Sequence, residues 1–189
     1  DDPEGNITRP GIVTGLAWTA YGGSTLLIET IKIKGKDKLL LTGQLGDVMK
    51  ESANIAYSIA MDYALKMNVD EKFFTENTIH IHVPAGATPK DGPSAGITIT
   101  TAILSLALNK KIKNSLAMTG EISLRGRVLA IGGLKEKIIA AKRAKIKHII
   151  IPEDNDKDLS EIQDYIKKGI KFYKVKQIEE VFKIAGLVK

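Results

Sequence analysis

The stretch P-A-G-A-T-P-K-D-G-P-S-A-G-I, residues 84–97, separates two regularly patterned parts of the chain. Three prolines and two glycines precede Ser94 in this stretch and disfavour helix and strand there. The run that follows, I-T-I-T-T-A-I-L-S-L-A-L at residues 97–108, is apolar enough to predict a buried helix. The sequence therefore predicts a loop that holds Ser94 at the N-terminus of a buried helix.

The position of Ser94 suggests a chemical role. At a helix N-terminus, unpaired backbone N–H groups and the positive end of the helix dipole stabilise an oxyanion. Acyl transfer through a serine nucleophile needs such a site, and the turn that contains Asp91, Gly92 and Pro93 is the candidate to supply it. The alternative is structural, because serine is also a favoured N-cap residue. This stretch alone leaves both interpretations open.

A strand is predicted directly before the loop, at T-I-H-I-H-V-P, residues 78–84. Alternation places three apolar side chains on one face and two histidines on the other: Ile79, Ile81 and Val83 against His80 and His82. Two histidines at this spacing could begin a metal site, but no third ligand with suitable spacing is evident. We therefore expect structural or surface histidines and no metal.

A second helix, G-G-L-K-E-K-I-I-A-A-K-R-A-K at residues 132–145, offers a candidate base. At about 100° per residue its apolar side chains form one stripe: Leu134, Ile138, Ala141 and Ala144. Lys137 falls inside this stripe, whereas Lys135 lies outside it. Because desolvation disfavours the ammonium form, Lys137 is expected to lose its proton readily and to serve as a general base. The alternative is that its stem lies on the apolar face while the amine reaches water.

Four segments together resemble the proteolytic domain of the Lon family of ATP-dependent proteases, in its bacterial form. They are P-G-I-V-T-G-L-A-W-T (10–19), P-K-D-G-P-S-A-G (89–96), M-T-G-E-I-S-L-R-G-R-V-L-A-I-G-G-L-K-E-K (118–137) and H-I-I-I-P (148–152). The resemblance covers essentially the whole chain. It implies a serine endopeptidase with a Ser–Lys dyad, in which Ser94 is the nucleophile, Lys137 is the base and Thr119 steadies the lysine amine.

The resemblance also implies a context for the whole protein. In this family an ATPase module that uses ATP and Mg precedes the proteolytic domain, and an N-terminal module binds substrate. Six subunits form a ring that degrades misfolded, damaged and short-lived regulatory proteins, in the cytoplasm or in the mitochondrial matrix of eukaryotes. The 189 residues contain no G-x-x-x-x-G-K-[ST] motif, so this domain is expected to use no cofactor of its own.

Composition indicates a globular domain with an ordinary core. Of the 189 residues 43% are hydrophobic and 26% are charged, and there is no cysteine, which excludes disulfides. No run of 18 apolar residues predicts a membrane span. The net charge of +6 comes mainly from scattered lysines, so nucleic-acid binding is not expected.

The irregular alternation of predicted strands and helices along the chain indicates an α+β fold with mixed sheets and about five to six helices. Residues 1–9 are predicted to be a linker, and residues 10–189 a single compact domain. Strands are predicted at 11–19, 24–34 and 38–42 as an antiparallel opening, and later at 115–119, 127–131, 148–152 and 171–175. Further helices are predicted at 44–67, 156–169 and 177–185.

Two other classes of function fit parts of the sequence. Residues 92–96 also match G-x-S-x-G, the nucleophile elbow of α/β-hydrolases, with His148 downstream. An elbow serine follows its strand directly, whereas about ten irregular residues precede Ser94, so the context disfavours this class. The remaining alternative is a binding or assembly module in which Ser94 only caps a helix and the Lys137 amine reaches solvent.

Overall fold

The computed structural model describes residues 7–84 and 92–189. The strands in the described residues are β1 (Ile12–Thr19), β2 (Gly22–Lys34), β3 (Leu39–Thr42), β4 (Asn77–His82), β5 (Leu116–Met118), β6 (Glu121–Ile122), β7 (Val128–Leu129), β8 (His148–Pro152) and β9 (Lys171–Val175). The helices are α1 (Asp47–Lys66), α2 (Lys72–Thr75), α3 (Gly96–Leu108), α4 (Leu134–Arg143), α5 (Asp156–Ser160), α6 (Asp164–Lys167) and α7 (Ile178–Ile184). Of the predicted linker, residues 1–6 lie outside this description, and Ile7 is buried.

Seven strands form one mixed sheet in the order β3-β4-β2-β1-β5-β8-β9, and β6 and β7 form a separate ribbon. The predicted α+β fold with mixed sheets is confirmed. The opening strands are antiparallel only in part, because β3 pairs in parallel with β4 and not with β2. The half-exposed β3 takes the edge, while β4, whose Ile79 and Ile81 are fully buried, lies inside the sheet.

Helices cover both faces of the sheet. Helix α3 packs between the sheet and α1, and all residues of its first ten positions are buried, as the apolar run predicted. Helix α4 packs on the opposite face, where Leu134, Ile138 and Ala141 join Leu16 of β1 in a second core cluster. The predicted serine helix and lysine helix therefore lie on opposite faces of the same sheet.

The prediction of one helix at residues 156–169 is wrong. The segment forms two short helices, α5 and α6, that meet at Gln163, whose backbone is extended (φ −60°, ψ 140°). Leu159, Ile162 and Ile166 are all buried in the cluster beneath α4. Packing these three side chains outweighs the helical pattern of the segment. With this split and the short α2, the described residues contain seven helices and not five to six.

Candidate active site

Ser94 lies in a turn immediately before α3, as the loop pattern predicted. Gly92 has a positive φ of 121°, which glycine adopts without strain, and Pro93 and Ser94 are half-buried. The N-cap residue of α3 is Ala95, so Ser94 stands one residue outside the helix cap. The structure therefore gives no support to the alternative in which Ser94 only caps the helix.

The backbone of this turn is fixed to a neighbouring segment by two hydrogen bonds with Gly120. The Gly120 N–H donates to the carbonyl oxygen of Ser94 (2.9 Å), and the Ile97 N–H donates to the carbonyl oxygen of Gly120 (3.1 Å). A Cβ on Gly120 would lie 2.9 Å from Val128 Cγ1 and 3.0 Å from Ile97 Cδ1, so a larger residue there would force these buried side chains to shift. Gly120 thus holds the serine turn against the end of β5.

Lys137 is buried on the inner face of α4. Its side chain is 2% exposed, and Leu134, Ile138 and Ala141 on either side of it are buried too, whereas Lys135 is exposed. The predicted apolar stripe, with Lys137 inside it and Lys135 outside it, is confirmed. The alternative in which the Lys137 amine reaches water is wrong for this structure, because an almost fully buried side chain leaves no path for it.

The surroundings of the Lys137 amine favour its neutral form. The Nζ atom donates a hydrogen bond to Oγ1 of Thr119 (3.0 Å), which is itself fully buried. Desolvation by burial lowers the pKa of Lys137 from its ordinary value of 10.5 to about 8. A substantial fraction of this amine is therefore unprotonated near pH 8, as a general base requires.

One short segment connects the two candidate groups. Thr119 accepts a hydrogen bond from the Lys137 amine, and its neighbour Gly120 donates one to the Ser94 carbonyl oxygen. Thr119 is held in turn through its N–H, which donates to the carbonyl oxygen of Ile150 in β8 (3.1 Å). The residues at the C-terminal end of β5 thus hold both the serine turn and the lysine amine.

The predicted oxyanion residues are placed only in part. Asp91 lies outside the described residues, and Pro93 has no backbone N–H, so it can shape the turn but cannot donate. The N–H groups of Gly96 and Ile97 already donate to the carbonyl oxygens of Pro93 (3.1 Å) and Gly120. Any oxyanion donor in this turn must therefore come from backbone N–H groups before Gly96.

His148 is placed away from the serine turn. It begins β8 opposite Leu116, at the other end of β5 from Thr119, which at about 3.3 Å per residue corresponds to roughly 10 Å along the strand. Its Nδ1 is within hydrogen-bond distance of the Tyr173 hydroxyl (2.9 Å). Burial and the neighbouring lysines, Lys113 first among them, lower the pKa of His148. This geometry does not support a nucleophile elbow that uses His148.

The two histidines of β4 share one hydroxyl partner. His80 Nε2 and His82 Nδ1 lie 2.9 and 2.6 Å from Oγ1 of Thr42 on the neighbouring strand. Within residues 7–84 and 92–189 there is no group of three His, Cys, Asp or Glu side chains that could hold a metal ion.

Sequence reasoning missed the glycines that position the site. Besides Gly120, Gly23 lies so close to α4 that a Cβ on it would be 2.1 Å from the carbonyl oxygen of Glu136. Gly133, at the start of α4, likewise packs against the ring of Trp18. The only sequence signal for these contacts is the presence of glycine at the end of a strand or before a helix, which turns produce equally well.

A serine at a helix start and a buried lysine with a lowered pKa, both held by the end of one strand, form an arrangement suited to acyl transfer by hydrolases of the serine class. Comparison with known proteins identifies the family. Residues 2–188 match the family model described as Lon protease (S16) C-terminal proteolytic domain, and the chain belongs to this family.

Individual relatives agree with this assignment. Lon protease 1 of Borreliella burgdorferi is 58% identical over 180 residues, which are 95% of this chain and 22% of that protein. The Lon protease of Leptospira interrogans is 58% identical over 172 residues, covering 91% of this chain and 20% of the relative. A mitochondrial Lon protease homolog of Ostreococcus lucimarinus is 55% identical over 183 residues, which are 95% of this chain and 20% of that relative. The chain thus spans about a fifth of the length of these relatives.

These relatives indicate that the chain is a peptidase domain. They include bacterial proteins and one that is named as a mitochondrial homolog. No helix within the described ranges is long and apolar enough to cross a membrane.

Proposed function

We propose that Ser94 and Lys137 form a catalytic dyad that hydrolyses peptide bonds. The observation that carries the proposal is the shared support at the end of β5, where Thr119 binds the Lys137 amine and Gly120 binds the backbone of Ser94. Two adjacent residues, Thr119 and Gly120, therefore hold the amine of the proposed base and the backbone of the proposed nucleophile. Membership in the Lon protease family supplies the reaction class.

In the proposed reaction, the neutral Lys137 amine takes the proton of the Ser94 hydroxyl while Oγ attacks the scissile carbonyl carbon. Backbone N–H groups of the turn before α3 stabilise the negative charge that forms on the carbonyl oxygen. The lysine ammonium then protonates the leaving amine as the C–N bond breaks, which leaves an acyl-enzyme on Ser94. Water, deprotonated by the same amine, hydrolyses the ester and restores the hydroxyl.

Thr119 acts as a positioning residue in this proposal. Its hydroxyl accepts a hydrogen bond from Lys137 Nζ and so directs the amine toward the end of β5 that holds the serine turn. Because the Thr119 side chain is fully buried, the hydrogen bond is not exchanged for one with bulk water.

We further propose that the full-length protein is an ATP-dependent protease. As in the family it belongs to, an ATPase module that uses ATP and Mg would deliver unfolded or damaged polypeptides to a homohexameric ring in the cytoplasm. The length of the relatives, more than four times that of this chain, is consistent with additional modules.

The dyad is tested by replacing its nucleophile. Ser94→Ala should abolish hydrolysis of a fluorogenic peptide without unfolding the protein, because Ser94 is half-buried and is not the N-cap residue. Peptide turnover by Ser94→Ala at the unaltered rate would refute the assignment.

A fluorophosphonate probe that labels reactive serines distinguishes the dyad from the nucleophile elbow. We expect labelling of Ser94 to disappear in Lys137→Ala and to persist in His148→Ala, with mass spectrometry locating the modified residue. The reverse dependence would support a serine activated by His148 instead.

A further inference from the structure

The outer face of α4 borders an apolar groove that the proposed dyad does not use. We define this α4–α6 groove by the residues that line it: Lys135, Ile139, Lys142, Arg143, Tyr165 and Ile166. Its volume is about 690 Å³, enough for one or two large side chains of a bound peptide. Because Lys137 points inward from the same helix, an occupant of this groove would not compete with substrate at the dyad.

The floor and one wall of the groove are apolar yet accessible. Ile139 is 36% exposed although it belongs to a helix whose other isoleucine, Ile138, is fully buried. The Tyr165 ring, which forms the wall contributed by α6, is 70% exposed. Adjacent exposed apolar side chains of this size around a concave surface are typical of a polypeptide-binding site.

The rim of the groove carries three cationic side chains, Lys135, Lys142 and Arg143. Lys142 Nζ donates to the carbonyl oxygen of Tyr165, and Arg143 Nη2 donates to the carbonyl oxygen of Gly23 (3.1 Å). Both cations are thus positioned by neutral acceptors. Among the ion pairs formed between described residues, none includes Lys135, Lys142 or Arg143. The groove lining itself contains no carboxylate.

We infer that the α4–α6 groove docks a short polypeptide segment in which one or two large apolar side chains are flanked by aspartate or glutamate. The apolar residues pack on Ile139 and Tyr165, and the carboxylates pair with the three cations of the rim. Nucleic acid fits less well, since it offers no aliphatic side chain for an isoleucine floor. A two-fold contact between the grooves of two copies fits less well, since it would bring the cations of the two rims, Lys135, Lys142 and Arg143 of each, against one another.

The test measures binding of a fluorescein-labelled synthetic peptide of twelve residues, with Leu and Phe flanked by Asp and Glu, by fluorescence polarisation. The matched peptide replaces each acid by its amide. We expect the amide peptide to bind at least tenfold more weakly, and binding of the acidic peptide to weaken with added salt. Mass spectrometry of the probe after the titration verifies that it was not cleaved.

Matched variants locate the binding. Lys135→Glu combined with Arg143→Glu should weaken binding of the acidic peptide at least tenfold. The control, Lys36→Glu combined with Lys50→Glu, changes the net charge equally at exposed positions outside the groove and should leave the affinity unchanged. Tyr165→Ala removes the wall at an exposed position and should also weaken binding, so the result does not depend on a charge reversal.

Three outcomes would overturn the inference. The first is equal affinity of the double groove variant and the unaltered protein for the acidic peptide. The second is displacement of the acidic peptide by a single-stranded oligonucleotide that itself binds more tightly through the same lysines. The third is sedimentation that shows self-association of the unaltered protein and its loss in Tyr165→Ala, which would make a second copy of the chain the occupant.

Discussion

Lys137 combines a functional advantage with a stability penalty. Burial lowers its pKa to about 8, which supplies a neutral amine at a pH where an exposed lysine is almost fully protonated. The same burial means that at neutral pH the fold must accommodate an ammonium group whose one hydrogen-bond partner within residues 7–84 and 92–189 is the Thr119 hydroxyl. Such groups are destabilising relative to apolar side chains of the same shape.

We therefore predict that Lys137→Met stabilises the protein at pH 7. The pKa of Lys137 rises from about 8 to 10.5 on unfolding, so the unfolded chain binds more protons between these pH values and wild-type stability increases as the pH rises through them. Below pH 8 the full penalty, on the order of 3 kcal/mol, is present. Loss of the Thr119 hydrogen bond offsets about 1 kcal/mol of the gain.

Urea denaturation at pH 7 and at pH 10 measures this difference. The stability advantage of Lys137→Met over the unaltered protein should be larger at pH 7 than at pH 10. An advantage that is the same at both values, or a variant less stable at pH 7, would show that the lysine is not held in a desolvating environment.

Local sequence patterns indicate the individual candidate residues, whereas only the resemblance to a family implies their partnership. Ser94 was indicated by its position between a glycine- and proline-rich loop and an apolar helix, and Lys137 by its place in an apolar stripe. Nothing local relates these two, because Ser94 precedes α3 and Lys137 lies on α4, and these helices pack on opposite faces of the sheet. Their connection runs through Gly120, whose significance depends on contacts with residues distant in sequence.

Helix α4 has two faces with different predicted roles, which a pair of lysine variants separates. Lys135 and Lys137 are about 200° apart around the helix, and only Lys137 is buried. Lys137→Ala should lower the rate of peptide hydrolysis by about 10²–10⁴-fold, the usual contribution of a general base. Lys135→Ala should change it little. Initial rates with a fluorogenic peptide measure both, and an inactive Lys135→Ala beside an active Lys137→Ala would refute the assignment.

The hairpin of β1 and β2 sets the position of α4. A Cβ on Gly23 would lie 2.1 Å from the Glu136 carbonyl oxygen and 3.1 Å from the Lys137 backbone nitrogen. Only a movement of the backbone of the hairpin or of α4 could relieve this clash. Gly23→Ala should therefore displace the start of α4, lower stability by about 1–3 kcal/mol and reduce peptide hydrolysis at least tenfold. Thermal unfolding and initial rates measure these effects.

Gly132→Ala is the matched control for that substitution. Gly132 also lies beside the start of α4, but a Cβ on it would meet nothing within 4 Å. We expect this variant to keep both its stability and its activity. Similar losses in the two variants would mean that any side chain near this turn is harmful, and that the hairpin contact has no special role.

Elements were predicted best where burial follows a simple period. Helix α3 and strand β4 match their predicted ranges closely because their apolar side chains repeat at helical or alternating spacing. Strand β3 was assigned the wrong neighbour, since the turn before it fits a hairpin as well as the observed crossing to β4. The break between α5 and α6 has no glycine or proline to announce it and results from packing beneath α4.

The molecule as a whole uses one sheet to join its two candidate catalytic helices. Strand β5, three residues long, lies between β1 and β8 in parallel with both, and its end carries the pair of residues that bind the serine turn and the lysine amine. Because α3 and α4 pack on opposite faces of the sheet, the site depends on the sheet being intact. Activity and cooperative folding should therefore be lost together on heating.

We predict that ATP does not affect peptide hydrolysis by these 189 residues. They contain no G-x-x-x-x-G-K-[ST] motif, so we expect no phosphate-binding loop of that kind through which ATP could act on the site. Hydrolysis of a short fluorogenic peptide by this chain should proceed at the same rate with and without ATP and Mg. A stably folded protein should not be degraded, because its unfolding requires about 5–15 kcal/mol that peptide hydrolysis at this site does not supply.

The matched control is the same protein substrate made permanently unfolded by destabilising substitutions. This chain should cleave it slowly, again without any effect of ATP, because an unfolded segment can reach the serine turn unaided. Stimulation of peptide hydrolysis by ATP in a purified sample of these residues would contradict the prediction. It would require a nucleotide site of a kind that the sequence motif does not describe, and saturation of the rate with ATP concentration would then measure its affinity.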